Sequence, residues 1–215
     1  ALAHQRGQVA AHRGVSLRVH ANTIHSVIGP NGAGKTTLFH MLTGTKTVTG
    51  GRIIFDGHDV THEPDYRRVQ RGIARSFQVT SLFLSLSVRE NLRLGAQGVA
   101  PVHALNPWSE PTGSRALTHI VDAVLTKVGL ENMADTPAGN LSHGQQRRLE
   151  VGMALSARPK AIFLDEPTSG MGIDDLDDMK RLILSLRDEH TVVLIEHNMN
   201  IVMDISDTVT VMQLG

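Results

Sequence analysis

Residues 29–36 read Gly29-Pro30-Asn31-Gly32-Ala33-Gly34-Lys35-Thr36, the pattern G-x-x-x-x-G-K-[ST], and Thr37 follows directly. The apolar run 24–28 precedes this segment, and helix-forming residues 35–42 continue from it. No other feature constrains the fold as tightly. A strand must deliver the chain into a tight turn, and the turn must open into a helix. Glycines let backbone N–H groups turn inward and approach phosphate oxygens, which a Cβ would obstruct. The helix N-terminus adds a partial positive charge. In this arrangement Lys35 reaches the β- and γ-phosphates of a nucleotide, and Thr36 offers its hydroxyl to Mg²⁺. The competing reading is a glycine-rich turn with a chance lysine, and the flanking strand and helix weigh against it.

The rest of the chain alternates in the same sense. Residues 15–19 and 24–28 read as short strands around a turn, and 52–55 reads as a strand closed by Asp56-Gly57. Residues 63–74 read as a short basic helix, with Arg67, Arg68, Arg71 and Arg75 on a solvated face. Leu117, Ile120, Val121, Val124, Leu125 and Val128 have helical spacing over 116–128, and Gly129 stops that helix. Segment 141–156 opens as a loop and continues as a helix. Strand and helix then alternate: 161–164, 174–188, 192–195, 199–205 and 208–212. Near-continuous apolar strands alternating with helices predict an α/β fold with a largely parallel sheet. The helical stretch from about 82 to 156 interrupts the alternation and reads as a lobe within a single domain spanning 1–215.

Composition removes several classes of function. Lys+Arg and Asp+Glu both number 21, so the formal net charge is zero and no basic face for nucleic acid is expected. The chain has no cysteine, which excludes disulfides and thiolate metal sites. Its apolar runs fall far short of the ~18–20 residues of a membrane-spanning helix, so no direct membrane insertion is expected. Aromatic residues make up 3%, so the core must be aliphatic. The chain opens on Ala1 and stops just past a strand-like run, the pattern expected of a trimmed sequence.

Asp165 and Glu166 sit at the carboxyl end of the apolar strand 161–164. In open α/β sheets that edge is where ligands bind. Asp165 is placed to help hold Mg²⁺, and Glu166 to take a proton from a water attacking a γ-phosphate. The plain alternative is a solvated acidic pair. The phosphate-binding loop earlier in the chain favours the catalytic reading.

With these elements in order, the chain resembles the nucleotide-binding subunit of an ABC transporter. Leu141-Ser142-His143-Gly144-Gln145-Gln146 looks like that family's signature loop, with His143 in place of its first glycine. Gln78, in Arg75-Ser76-Phe77-Gln78, matches the glutamine loop, and His197 matches the switch histidine. The resemblance implies a P-loop NTPase with an antiparallel β subdomain beside the core sheet and an inserted helical lobe. It implies ATP and Mg²⁺ as ligands. Gly29, Pro30, Asn31, Gly32, Ala33, Gly34, Lys35, Thr36, Thr37, Gln78 and Asp165 would hold them, with Thr36, Gln78 and Asp165 at the metal. It also implies two subunits packed head to tail, identical or related. Ser142, Gly144 and Gln145 of one would then face the γ-phosphate held by the other, with Glu166 and His197 as the catalytic pair.

Residues 73–78, 82–92, 144–150 and 195–199 are similar to the subgroup that imports branched-chain amino acids or urea-type solutes. That subgroup includes, more distantly, lipopolysaccharide exporters. Separate membrane subunits, and a cytoplasmic position on the inner face of the membrane, are implied in turn. The surface around residues 78–83 is the expected docking groove.

The sequence departs from the family at two further places. No aromatic residue precedes Phe39 to stack on adenine. Either Arg6, with Gln5 beside it, stacks its guanidinium plane on the base, or the base is held loosely. Gly172 stands where the loop after the acidic strand commonly carries Asp. Asp174, Asp175, Asp177 and Asp178 read as helix-start acids stabilised by the dipole. A non-transport relative would show a long coiled-coil insertion or a second cassette, and this chain has neither. A nucleotide-gated module that barely hydrolyses ATP is the other rival.

Overall fold

The computed structural model describes residues 15–76, 82–98 and 112–213. The apolar runs become the centre of a parallel sheet. β1 (Ile24–Ile28), β5 (Ala161–Asp165) and β6 (Thr191–Ile195) are flanked by β4 (Ile73–Arg75) and β7 (Thr208–Val211). The order in this five-stranded sheet is β4-β5-β6-β1-β7, with every neighbouring pair parallel. The central strands β5 and β6 are buried on both faces, so they read as near-continuous apolar runs rather than alternating ones.

The two-residue period still sorts the strand side chains. Ile162, Leu164, Val192 and Leu194 join one core cluster with Met179, Ile183 and Leu186 of α6 (Ile173–Leu186) and Ile201 of α7 (Met199–Ile205). Phe163, Val193 and Ile195 point the other way and pack with Leu38 and Phe39 of α1 (Lys35–Thr43). Phe39 meets Phe163 edge to face, with ring centroids 5.3 Å apart.

A two-stranded antiparallel ribbon lies beside the sheet: β2 (Ile54–Phe55) and β3 (His58–Asp59). Its turn is Asp56-Gly57, both with positive φ (49° and 77°), which matches the type I′ preference for Asp-Gly. Residues 15–19 carry no ladder. Their alternation survives as burial: Val15, Leu17 and Val19 pack partly against the core without forming a strand.

Three helices form the lobe: α3 (Val88–Gln97), α4 (Thr112–Val128) and α5 (His143–Ser156). α3 and α5 touch backbone to side chain. A Cβ on Gly95 would lie 2.5 Å from the Met153 carbonyl oxygen, and one on Gly152 would lie 2.9 Å from Leu92. The α5 stripe of Leu149, Val151 and Leu155 is buried, as packing requires.

The basic helix expected over 63–74 is shorter and differently used. α2 spans Asp65–Gln70 and ends at Gly72 (φ +99°), after which Ile73–Arg75 enters the sheet beside β5. Arg67 and Arg71 are exposed as expected, but Arg68 and Arg75 are not part of a solvated face. Arg68 is 1% exposed and donates to four backbone carbonyls, Met41 and Leu42 (Nη1, 2.6 and 2.7 Å), Thr61 (Nη2, 3.0 Å) and Glu63 (Nε, 3.0 Å). Arg71 forms a fork with Glu63, and Arg75 turns into the site.

One strand residue makes stability depend on pH. His25 of β1 is buried, with Nε2 2.8 Å from Thr210 Oγ1 and Nδ1 2.7 Å from Thr208 Oγ1. Burial, with His20 adding to it, holds its pKa below the usual 6.5. The unfolded chain therefore takes up this proton first. No penalty exists above about pH 6.5, and one grows as pH falls below it. Denaturant midpoints measured from about pH 7.5 to 5 should decline more steeply for the wild type than for His25→Gln. Parallel curves would remove His25 as a source of the slope.

Candidate nucleotide site

β1 hands the chain to the glycine loop at the carboxyl edge of the sheet. Gly29, Gly32 and Gly34 have φ of +150°, +81° and +93°. At Gly29 a Cβ would fall 2.2 Å from the Met212 carbonyl oxygen just past β7, so only glycine fits there. α1 starts after Gly34 with no side-chain cap on its first turn. Its leading N–H groups are thus left to an anion. Lys35 is 6% exposed and folds back over the loop, with Nζ 2.8 Å from the Gly29 oxygen and 3.1 Å from the Pro30 oxygen. Pro30, Asn31 and Ala33 fill the rest of the loop, and Thr36 and Thr37 follow Lys35 in the first turn of α1.

At the end of β5, Asp165 is buried. Its Oδ2 accepts from Arg75 Nη2 at 3.2 Å, while its Oδ1 is buried with no hydrogen-bond partner. Burial raises its pKa above the usual carboxylate value, and the Arg75 guanidinium opposes that shift. An orphaned carboxylate oxygen close to Lys35 suits a hard cation, so the donor set fits Mg²⁺. Among the described residues no group of three acidic, His or Cys side chains forms a metal cage.

Glu166 adopts φ +50°, the left-handed region that non-glycine residues rarely enter. Its N–H donates to the Ile195 carbonyl (2.9 Å), and its Oε1 lies 2.7 Å from His197 Nε2. The acid and the histidine, 31 residues apart in sequence, are therefore brought together.

Ser142 caps α5. Its Oγ accepts from Gln145 N (3.2 Å), and Gln145 Oε1 accepts from Ser142 N (2.9 Å), a reciprocal capping box. No hydrogen bond or ion pair among the described residues joins Ser142, Gly144 or Gln145 to the chain's own phosphate loop. Gly144 is packed under the Asp175 carboxylate, which a Cβ there would strike at 2.1 Å. The His143 ring lies over Gly170, 3.3 Å from where its Cβ would be. The histidine that replaces a glycine in the signature thus touches the loop following Glu166. Of the four helix-start acids, Asp174 and Asp175 occupy the first turn of α6, while Asp178 pairs with Arg148 and Arg181. Gln78, Gln5 and Arg6 lie outside the described residues.

Residues 12–169 match the ABC transporter family. The chain belongs to the ABC transporter family. It is an ATP-binding cassette, an ATPase of that family, and its relatives narrow the comparison. It is 39% identical to the high-affinity branched-chain amino acid transport ATP-binding protein BraF of Pseudomonas aeruginosa, covering 97% of this chain and 84% of that one. It is 35% identical to LivG of Escherichia coli, which carries the same description, with the same coverage. The lipopolysaccharide export ATP-binding protein LptB of Haemophilus influenzae is 35% identical over 94% of this chain and 80% of its own length. A nucleotide-free ATP-binding cassette of an ABC transporter superposes with a TM-score of 0.86 at 31% identity, covering 100% of this chain and 86% of that one. A cassette in its ADP conformation gives 0.84 at 32% identity, covering 100% and 85%.

Sequence reasoning passed over two residues of the cassette. Arg75 groups in sequence with Arg67, Arg68 and Arg71 as a basic helix face, whereas it ends β4 and meets Asp165. Glu196 was read only as the residue after a strand. It is 3% exposed, and a charge directly following four apolar strand residues is the signal that would have found it.

Proposed function

We propose that this chain hydrolyses ATP to drive import of branched-chain amino acids, or a related small polar solute, through separate membrane subunits. The contact of Glu166 with His197, beside the orphaned oxygen of Asp165 and an uncapped helix N-terminus, carries the proposal. Lys35 exchanges its carbonyl partners for the β- and γ-phosphates, and the glycine-loop N–H groups hold the remaining oxygens. Thr36, Asp165 and Gln78 would hold Mg²⁺, which when bound neutralises phosphate charge. Glu166 orients or deprotonates the attacking water, and His197 moves from Glu166 to the γ-phosphate.

Two cassettes close head to tail, so that the N-terminus of α5, with Ser142, Gly144 and Gln145, meets the nucleotide of the opposite copy. The exposed Phe83 and Leu84, at 53% and 51%, support a membrane-subunit contact at the end of the 78–83 surface. Peripheral attachment to the inner face of the membrane follows from that contact. Among the described residues no helix is long and apolar enough to span a membrane. The similarity to LptB favours export as the second reading.

Vesicles holding the complete transporter test the proposal. The wild type should couple ATP consumption to uptake of labelled leucine. Ser142→Trp should lower hydrolysis about 100-fold, the scale of losing a positioned transition-state donor. It should also abolish ATP-dependent pairing, while costing only about 1 kcal/mol in lost capping. Full activity with normal dimers would refute the shared site. Hydrolysis driving lipid efflux rather than leucine uptake would refute import.

A further inference from the structure

Glu196 lies between the two loops that carry the catalytic pair, and its carboxylate joins them. Oε1 accepts from Thr168 N (3.2 Å) and from the Thr168 hydroxyl. Oε2 accepts from His197 N (2.9 Å) and Asn198 N (3.2 Å). Both Glu196 and Thr168 are buried. Thr168 is the pivot of the loop after β5: Ser169 N bonds back to the Glu166 oxygen (3.1 Å) and Met171 N to the Thr168 oxygen (3.2 Å). The first of these bonds closes a turn on Glu166, whose φ is +50°.

We infer that Glu196 is a positioning residue that clamps the Glu166 loop to the His197 turn and so sets the geometry of the acid–histidine pair. The inference rests on the roles proposed above for Glu166 and His197. The chemistry requires a carboxylate. Each oxygen accepts two donors, and all four donors are fixed by backbone or by a buried hydroxyl. Glutamine has the same shape but offers one acceptor oxygen. Turned toward His197 and Asn198, its NH₂ would face two N–H donors; turned toward Thr168, it would donate to the hydroxyl but leave the Thr168 N–H unpaired, so one arm of the clamp is weakened either way.

The test uses the full chain assembled with its membrane subunits, with Mg-ATP as substrate. Glu196→Gln should lower kcat about tenfold or more, with KM for ATP within about twofold because neither loop forms the phosphate cradle. Thr168→Val, which frees one arm only, should give a smaller loss of the same kind. In a His197→Ala background, Glu196→Gln should cost clearly less than it does alone, since the two act as a unit. A Glu196→Gln enzyme with near wild-type kcat overturns the clamp. So does a loss expressed in KM alone, or one that multiplies in full with His197→Ala. If Glu196→Gln does not fold, Thr168→Val decides, and an unchanged kcat overturns the clamp. A wild-type rate for His197→Ala refutes the role of His197 instead, and Thr168→Val then tests the Glu166 arm alone.

Discussion

Glu166→Gln is expected to reduce ATP hydrolysis by about 10²–10⁴-fold, the range lost when a positioned general base is removed. ATP binding should remain, because the proposed phosphate cradle, Gly29, Gly32, Gly34 and Lys35, lies in the loop after β1 and the start of α1. The substitution keeps shape and hydrogen bonding: a glutamine oxygen can still face His197 Nε2, which lies 2.7 Å from the carboxylate now. What it removes is the capacity to take a proton. The ATP-bound dimer should consequently accumulate and be visible by size-exclusion chromatography. Single-turnover phosphate release is the deciding measurement. Near wild-type release would take Glu166 out of the catalytic role and leave it as an anchor for His197.

Arg68→Leu should destabilise the chain by about 3–5 kcal/mol, although it touches neither nucleotide nor partner. The guanidinium is buried and ties together the end of α1, the loop before α2 and α2 itself. Leucine leaves the carbonyls of Met41, Leu42, Thr61 and Glu63 without a donor, and the helix end of α1 has no ready replacement. Arg68→Lys should be nearly as damaging, because an ammonium cannot span four carbonyls arranged around a planar fork. Arg67, one residue earlier and exposed, should tolerate Ala within about 0.5 kcal/mol. Thermal or denaturant unfolding of the three variants checks this. A stable Arg68→Leu would mean that water or side-chain rearrangement satisfies those oxygens.

These neighbouring arginines show where sequence reasoning ran out. Arg67 and Arg68 are the same residue type on the same short helix, and what separates their fates is the set of four carbonyls around Arg68, with Gly44 leaving room for its side chain. The helix expected over 63–74 included Ile73 and Ala74, yet the left-handed Gly72 broke it and sent them into the sheet. The alternation at Val15, Leu17 and Val19 was real as burial and misleading as strand. By contrast the core strands, the glycine loop running into α1 and the acidic pair at the end of β5 were legible. Each follows from local chemistry: apolar runs, glycine conformations and charged groups at strand ends. The Glu196 clamp was not legible, because it needs two loops 28 residues apart to meet around one carboxylate.

The parallel pairing of β5 with β6 has one more consequence. Asp165 lies opposite Ile195 in register, and Glu166 and His197 are the first and second residues beyond those ladder ends. Their separation is therefore metered by the interstrand spacing of about 4.8 Å, much as two jaws are held by one bolt. Inserting or deleting a single residue in either strand would swing one jaw to the opposite face of the sheet. The lengths of these two strands therefore fix the pair as firmly as the side chains that the loops carry.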